Sequence, residues 1–280
     1  LVGQFRDLYQ SLHRIAREDG GMFYSLYSRD LAYRQNVHAG IGEVLEPVMR
    51  THFQGYRNVI NTFIVKASGP QSDFVIHQDT TALDEFRHMA LSLWIPLDDV
   101  SLENGGMSLV PKTHWLLPPY RTVAMPFAFQ DIRETVRKYL QPVPMHAGEV
   151  LVFDGRTIHY SSPNRSGKDR VALVCGLFPE EAEFVTCWKD KTRPEQPMEL
   201  FRHPHDYLLT YPQLFYHCHD RPVSGEVIGT VPDDFPPITN SEFEAFCATN
   251  GLPALDAVAP AMDSRCSMFG EPDGSNRWDG

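Results

Sequence analysis

The chain has five cysteines, an odd number, and no Cys-x-x-Cys pair. Neither a disulfide framework nor a zinc ribbon fits, and reduced thiols in the cytoplasm are the expectation. No apolar run approaches ~18 residues, so no transmembrane helix is predicted. Lys/Arg-rich runs are missing and the formal net charge is −11, which disfavours nucleic acid and anionic membrane as partners. Repeats and low-complexity tracts are absent. Leu1 to Arg6 carry no signal-peptide pattern, and the lack of a starting Met places the natural N-terminus upstream.

What is present is enough for one large core: 280 residues, 42% hydrophobic. Residues 4–18 pattern as an amphipathic helix through Leu8, Leu12 and Ile15, and residues 29–50 as a second through Leu31, Val37, Ile41, Leu45 and Val48. Pro47, Gly40 and Gly42 weaken the interior of the second. From Arg57 the pattern turns to short β-branched and aromatic runs. Strands are predicted at Val59–Val65, through His77, at Met89–Ile95, Met107–Val110, Gly148–Phe153, Thr157–Tyr160 and Arg170–Phe178. Residues 127–140 read as a helix on an insertion. After Pro179 the pattern dissolves until a capping box, Ser241 with Glu244, opens a last helix. Helices followed by short strands punctuated by Gly, Pro and Asn indicate a β-sandwich or jelly roll with flanking helices.

The chemistry centres on His77-Gln78-Asp79. Residues two apart on a strand face the same way, so His77 and Asp79 can share a ligand. A third inward ligand, His159, follows the Asp154-Gly155 turn. Two His and one carboxylate on one face are the donor set of mononuclear non-haem Fe(II) oxygenases. Eleven residues past His159, Arg170 heads the apolar run Val171-Ala172-Leu173-Val174, a cation suited to gripping a carboxylate. Arg165 lies in the Pro163–Lys168 turn and reads as solvated.

This combination resembles the phytanoyl-CoA hydroxylase-like branch of the Fe(II)/2-oxoglutarate dioxygenases. That family shows His-x-Asp, then a distal His followed by x-Ser-x-x-Asn-x-Ser and an Arg, here His159-Tyr160-Ser161-Ser162-Pro163-Asn164-Arg165-Ser166 and Arg170. Asn104-Gly105-Gly106 through Pro111-Lys112-Thr113-His114 is similar too, with Lys112-Thr113 in place of the usual Gly-Ser. The resemblance spans about residues 57–178. It implies a double-stranded β-helix over 57–180 with an inserted 115–145 segment, to which the chain's own pattern adds helical support from 1–56 and an irregular lid or extension over 181–280, all expected as one catalytic domain. It implies Fe(II) on His77, Asp79 and His159, with 2-oxoglutarate on Arg170 and Ser161 in a pocket lined by Thr62 and Trp94. O2 would be the oxidant, with succinate and CO2 released. The family's halogenases lack the carboxylate ligand, so Asp79 points to hydroxylation, with desaturation or ring formation open.

The small-molecule substrate is expected to be a small or medium metabolite of secondary metabolism. Gln78, Lys66, Asn61 and Arg87 are candidates to meet it at the open end of the barrel, although Arg87 fits a solvated strand edge equally well. His203-Pro204-His205-Asp206 and His217-Cys218-His219-Asp220 look metal-capable but lack helical or paired spacing. The Tyr- and His-rich stretch around Tyr207, Tyr211, Phe215 and Tyr216 reads as a lid or a homodimer contact. Two other classes stay open: a cupin-type metalloenzyme that does not use 2-oxoglutarate, and a non-catalytic binding protein with a relic site.

Overall fold

The computed structural model describes residues 1–12, 21–116, 120–122, 128–211, 220–233 and 235–255. Five antiparallel strands form the larger sheet, in the order β1 (Met22–Tyr24), β2 (Tyr56–Lys66), β9 (Arg170–Pro179), β4 (Leu91–Pro96) and β7 (Leu151–Asp154). Four form the smaller: β3 (Phe74–His77), β8 (His159–Ser161), β5 (Met107–Leu109) and β6 (Gln141–Pro142). Trp94 and Ala172 of one sheet pack with Met107 of the other, closing the jelly roll of a double-stranded β-helix.

Strand parity assigns the two faces of the larger sheet. Phe63 and Val65 of β2, Leu93 and Ile95 of β4, and Leu173, Cys175 and Leu177 of β9 point outward into one apolar cluster. They meet α1 (Val2–Leu12) and α2 (Leu31–His52), whose buried Tyr33, Val37, Ile41 and Leu45 repeat every fourth residue. Burial of each large side chain there contributes about 1.5–3 kcal/mol. The helix runs through Gly40 and Pro47. Asp30 caps it by accepting from Tyr33 N–H at 3.1 Å, and Gly40 admits α1. A Cβ at Gly40 would sit 2.8 Å from Leu8 Cδ1.

The outer face of the smaller sheet is covered as well. Ile76 and Tyr160 pack with Ile132, Val136 of α3 (Arg133–Arg137) and Phe243 and Cys247 of the last helix. The 127–140 helix of the sequence reading is thus one short 3-10 turn and one turn and a half of α-helix. Two expectations are corrected. The 181–280 region is not irregular throughout, because β10 (Phe184–Trp188), β11 (Met198–His203) and β12 (Glu226–Val231) pair as a separate antiparallel sheet. Short α4 (Tyr207–Thr210) lies between β11 and β12 in the chain, and Tyr207 packs against Phe184, Phe178 and Leu26 rather than lying loose. The cap of the final helix, α5 (Asn240–Thr249), is Thr239 with Glu242, two residues before the pair read from sequence. Phe215, Tyr216 and the His217–His219 cluster lie outside the described residues.

Candidate active site

The inner faces of both sheets line one cavity of about 170 Å³. His77 and His159 face each other directly across the β3·β8 ladder, brought into register by an irregularity between Phe74 and His77. Their rings are 4.0 Å apart at the centroids. Each ring is oriented from behind. His77 Nδ1 lies 2.8 Å from Val75 O and His159 Nδ1 lies 2.8 Å from Thr157 O, two residues upstream in both cases. A carbonyl partner makes Nδ1 the donor and leaves the Nε2 lone pair for a metal. Asp79 Oδ1 is 3.7 Å from both Nε2 atoms. Burial, then the neighbouring His159, pushes the His77 pKa well below its ordinary value, so the ring is a neutral ligand.

Among the described residues, His77, Asp79 and His159 are the group of three donors able to hold a metal ion, with ligand atoms within 4.8 Å of one another. Two imidazoles and one carboxylate on one side of a cavity fit Fe(II). Asp79 is steadied by Ser92, whose hydroxyl donates to Oδ2 at 3.3 Å, and packs on Gly155, where a Cβ would lie 2.9 Å from Oδ2. Ser92 was not among the residues singled out from sequence.

Arg170 carries the fit to a dicarboxylate. It is 2% exposed and lies in the same cavity, with its guanidinium 5.4 Å from the Trp94 ring centre. Nη2 donates to Gly105 O at 3.1 Å, while Nε and Nη1 have no partner. Nε and Nη1 sit on different edges of the guanidinium, and their unpaired N–H groups leave this buried cation able to bond a carboxylate. Burial lowers the Arg170 pKa to about 10, which keeps it cationic at neutral pH. Ser161 and Trp94 share the cavity, as the resemblance implies.

Not every expected residue is there. Thr62 has the inward parity of β2, but the turn at Ser25–Tyr27 covers it, and its hydroxyl bonds to Ser25 Oγ (2.9 Å) and Leu26 N–H (3.1 Å). Asn61 has the opposite parity and bonds to His38 of α2, through His38 Nδ1 at 3.1 Å and His38 O at 2.9 Å. Arg87 is exposed and paired with Asp84. Lys66 does line the cavity, but its ammonium donates to Ser161 O and Ser162 O at 2.8 and 2.7 Å. Gln78 also lines it; Nε2 donates to Arg156 O at 2.5 Å while Oε1, buried, has no partner. His203 is no ligand: it bonds to Thr186 Oγ1 at 2.8 Å and stacks on Tyr207.

Double-stranded β-helices with this donor set define a class of mononuclear iron oxygenases, and residues 18–172 match one family within it, phytanoyl-CoA dioxygenase (PhyH). The chain belongs to that family. It is 26% identical over 164 residues to mouse phytanoyl-CoA dioxygenase domain-containing protein 1, covering 55% of each chain. To phytanoyl-CoA dioxygenase 1 of rice it is 27% identical over 146 residues, covering 49% of this chain and 50% of that one. The chain therefore spans about half the length of the curated relatives it matches. Among solved structures, HygX from Streptomyces hygroscopicus, with nickel and 2-oxoglutarate bound, aligns at a TM-score of 0.44 and 18% identity over 67% of this chain and 80% of that one. The carbocyclase SnoK from nogalamycin biosynthesis aligns at 0.45 and 22%, over 65% and 74%. No helix among the described residues is long and apolar enough to cross a membrane.

Proposed function

We propose that this protein is an Fe(II)- and 2-oxoglutarate-dependent oxygenase, acting on an unactivated C–H of a small or medium metabolite in secondary metabolism and releasing succinate and CO2. One observation carries the reading. The buried Arg170, with Nε and Nη1 unpaired, lines the cavity that holds His77, Asp79 and His159. Bound Fe(II) with 2-oxoglutarate supplies the activation of O2. The residues do the rest. Arg170 holds the far carboxylate of the cosubstrate, backed by the Trp94 face. Tyr24, Phe74 and Phe153 give the cavity an apolar wall. The unpartnered Gln78 Oε1 supports a role as acceptor for a hydroxyl or N–H of the substrate. Asp79 occupies the carboxylate position, which favours oxygen insertion over halogenation. Three described cysteines, Cys175, Cys187 and Cys247, are free and buried, which supports a reducing, cytoplasmic setting.

The test is anaerobic addition of Fe(II) and 2-oxoglutarate to the intact chain. The expected outcome is a weak visible metal-to-ligand charge-transfer band that His159→Ala abolishes. A missing band, or one that survives His159→Ala unchanged, defeats the proposal. Succinate formed in step with substrate turnover separates it from cupin-type chemistry that needs no 2-oxoglutarate.

A further inference from the structure

The three metal-site residues are not held alike. His77 and His159 are opposed in a ladder, and each ring is fixed by a carbonyl. Strand β3 ends at His77, so no ladder bond reaches Asp79, and its side chain is 42% exposed. Left to itself, such a carboxylate samples several rotamers.

Two main-chain bonds replace the ladder. Asp79 N–H donates to Gly155 O at 2.8 Å. Asp79 C=O accepts from Arg121 Nε at 2.7 Å, across 42 residues of sequence. The other two nitrogens of Arg121 grip Glu85, at 2.8 Å from Nη1 and 2.6 Å from Nη2. Both side chains are nearly buried, at 10% and 7% exposure. Arg121 is itself stapled to the strand exit: its N–H donates to Thr81 Oγ1 at 2.8 Å and its C=O accepts from Thr81 N–H at 2.9 Å. Only a guanidinium can place one N–H on a carbonyl while a planar fork holds a carboxylate. A buried ion pair of this kind contributes little net stability over an apolar pair of equal volume. Its presence directly behind a metal ligand therefore calls for a geometric reason.

We propose that the Arg121–Glu85 pair is a positioning device for Asp79, fixing the backbone from which the carboxylate reaches the metal and so setting metal affinity. The inference rests on reading His77, Asp79 and His159 as a metal site.

The experiment is a Co(II) titration of the full chain, followed by visible absorption, beside thermal unfolding without metal. The double variant Arg121→Met/Glu85→Met removes the bonds and keeps the bulk. It is expected to melt within a few degrees of wild type, yet to bind Co(II) about tenfold more weakly, with changed d–d bands. Arg121→Lys keeps a cation beside Glu85 and loses the fork. It is expected to weaken Co(II) binding in the same direction, and it stands in if the double variant does not fold. Wild-type affinity and spectrum in a folded double variant, or in Arg121→Lys where the double variant is unfolded, overturn the proposal and leave the metal site intact. Co(II) binding that is absent in wild type, or unaffected by His159→Ala, overturns the metal-site reading along with it.

Discussion

Two cations stand side by side in the cavity and do opposite things with their protons. Lys66 and Arg170 are register partners on β2 and β9, 0% and 2% exposed. Lys66 gives its protons to two carbonyls of the strand exit that follows His159. Arg170 keeps two N–H groups unpaired. Burial lowers the pKa of both, and for Lys66 the charge of Arg170 adds to it. Burial is thus common to both residues. The property that separates a ligand-binding cation from a structural one is its unsatisfied donors, since a buried polar group without a partner costs about 1–3 kcal/mol until a ligand supplies one.

The contrast is broken or sharpened by two measurements. The largest effect is expected for Arg170→Met. Loss of a charge-assisted contact weakens 2-oxoglutarate binding by about 100-fold, read by titrating the charge-transfer band of the Fe(II) protein, while Co(II) still binds. Lys66→Met is expected to do the reverse. Two buried carbonyls lose their donor, which costs about 2–4 kcal/mol and several degrees of melting temperature, with 2-oxoglutarate affinity changed by less than about tenfold. If Lys66→Met instead abolishes 2-oxoglutarate binding at an unchanged melting temperature, both cations serve the cosubstrate and the contrast is gone.

The smallest effect concerns a buried ionisable group outside the site. Burial lowers the His203 pKa to about 4. In the unfolded chain it charges below about 6.5. Between these values the unfolded state binds more protons, so stability falls as pH drops through this window. From pH 6.5 to about pH 5 this amounts to roughly 1–2 kcal/mol. His203→Gln is expected to flatten the melting-temperature profile there, and an unaltered slope would assign the titration to other groups.

The parts of this site that sequence made legible are those with a period or a joint spacing. His77 and Asp79 share a strand face, His159 follows a turn, and Arg170 heads an apolar strand. Parity could have gone further. Asn61 and Lys66 differ by five positions on one strand, so both cannot face the cavity, and α2 claims Asn61. Thr62 was lost to tertiary covering by a turn far upstream, which no local pattern encodes. Arg121 and Glu85 come from irregular segments without periodicity, and their meeting is visible only in three dimensions. Ser92, between Leu91 and Leu93, is a polar interruption of a buried strand, and no spacing ties it to Asp79. Of the strands beyond Pro179, Phe184–Trp188 has the β-branched and aromatic content of a strand. Exposed β12, with its Gly229, has too little alternation to declare itself.

Gly155 has one more consequence. In the sequence it passes for a turn glycine, yet its backbone is not in the left-handed region, and the demand on it is for space. A single methyl placed there would reach the carboxylate of Asp79, 2.9 Å from Oδ2 and 3.0 Å from Cβ. Position 155 is therefore a steric dial on the iron centre, set outside the donor set. Alanine or serine at that one site would detune the metal with all three ligands, Arg170 and the substrate wall still in place.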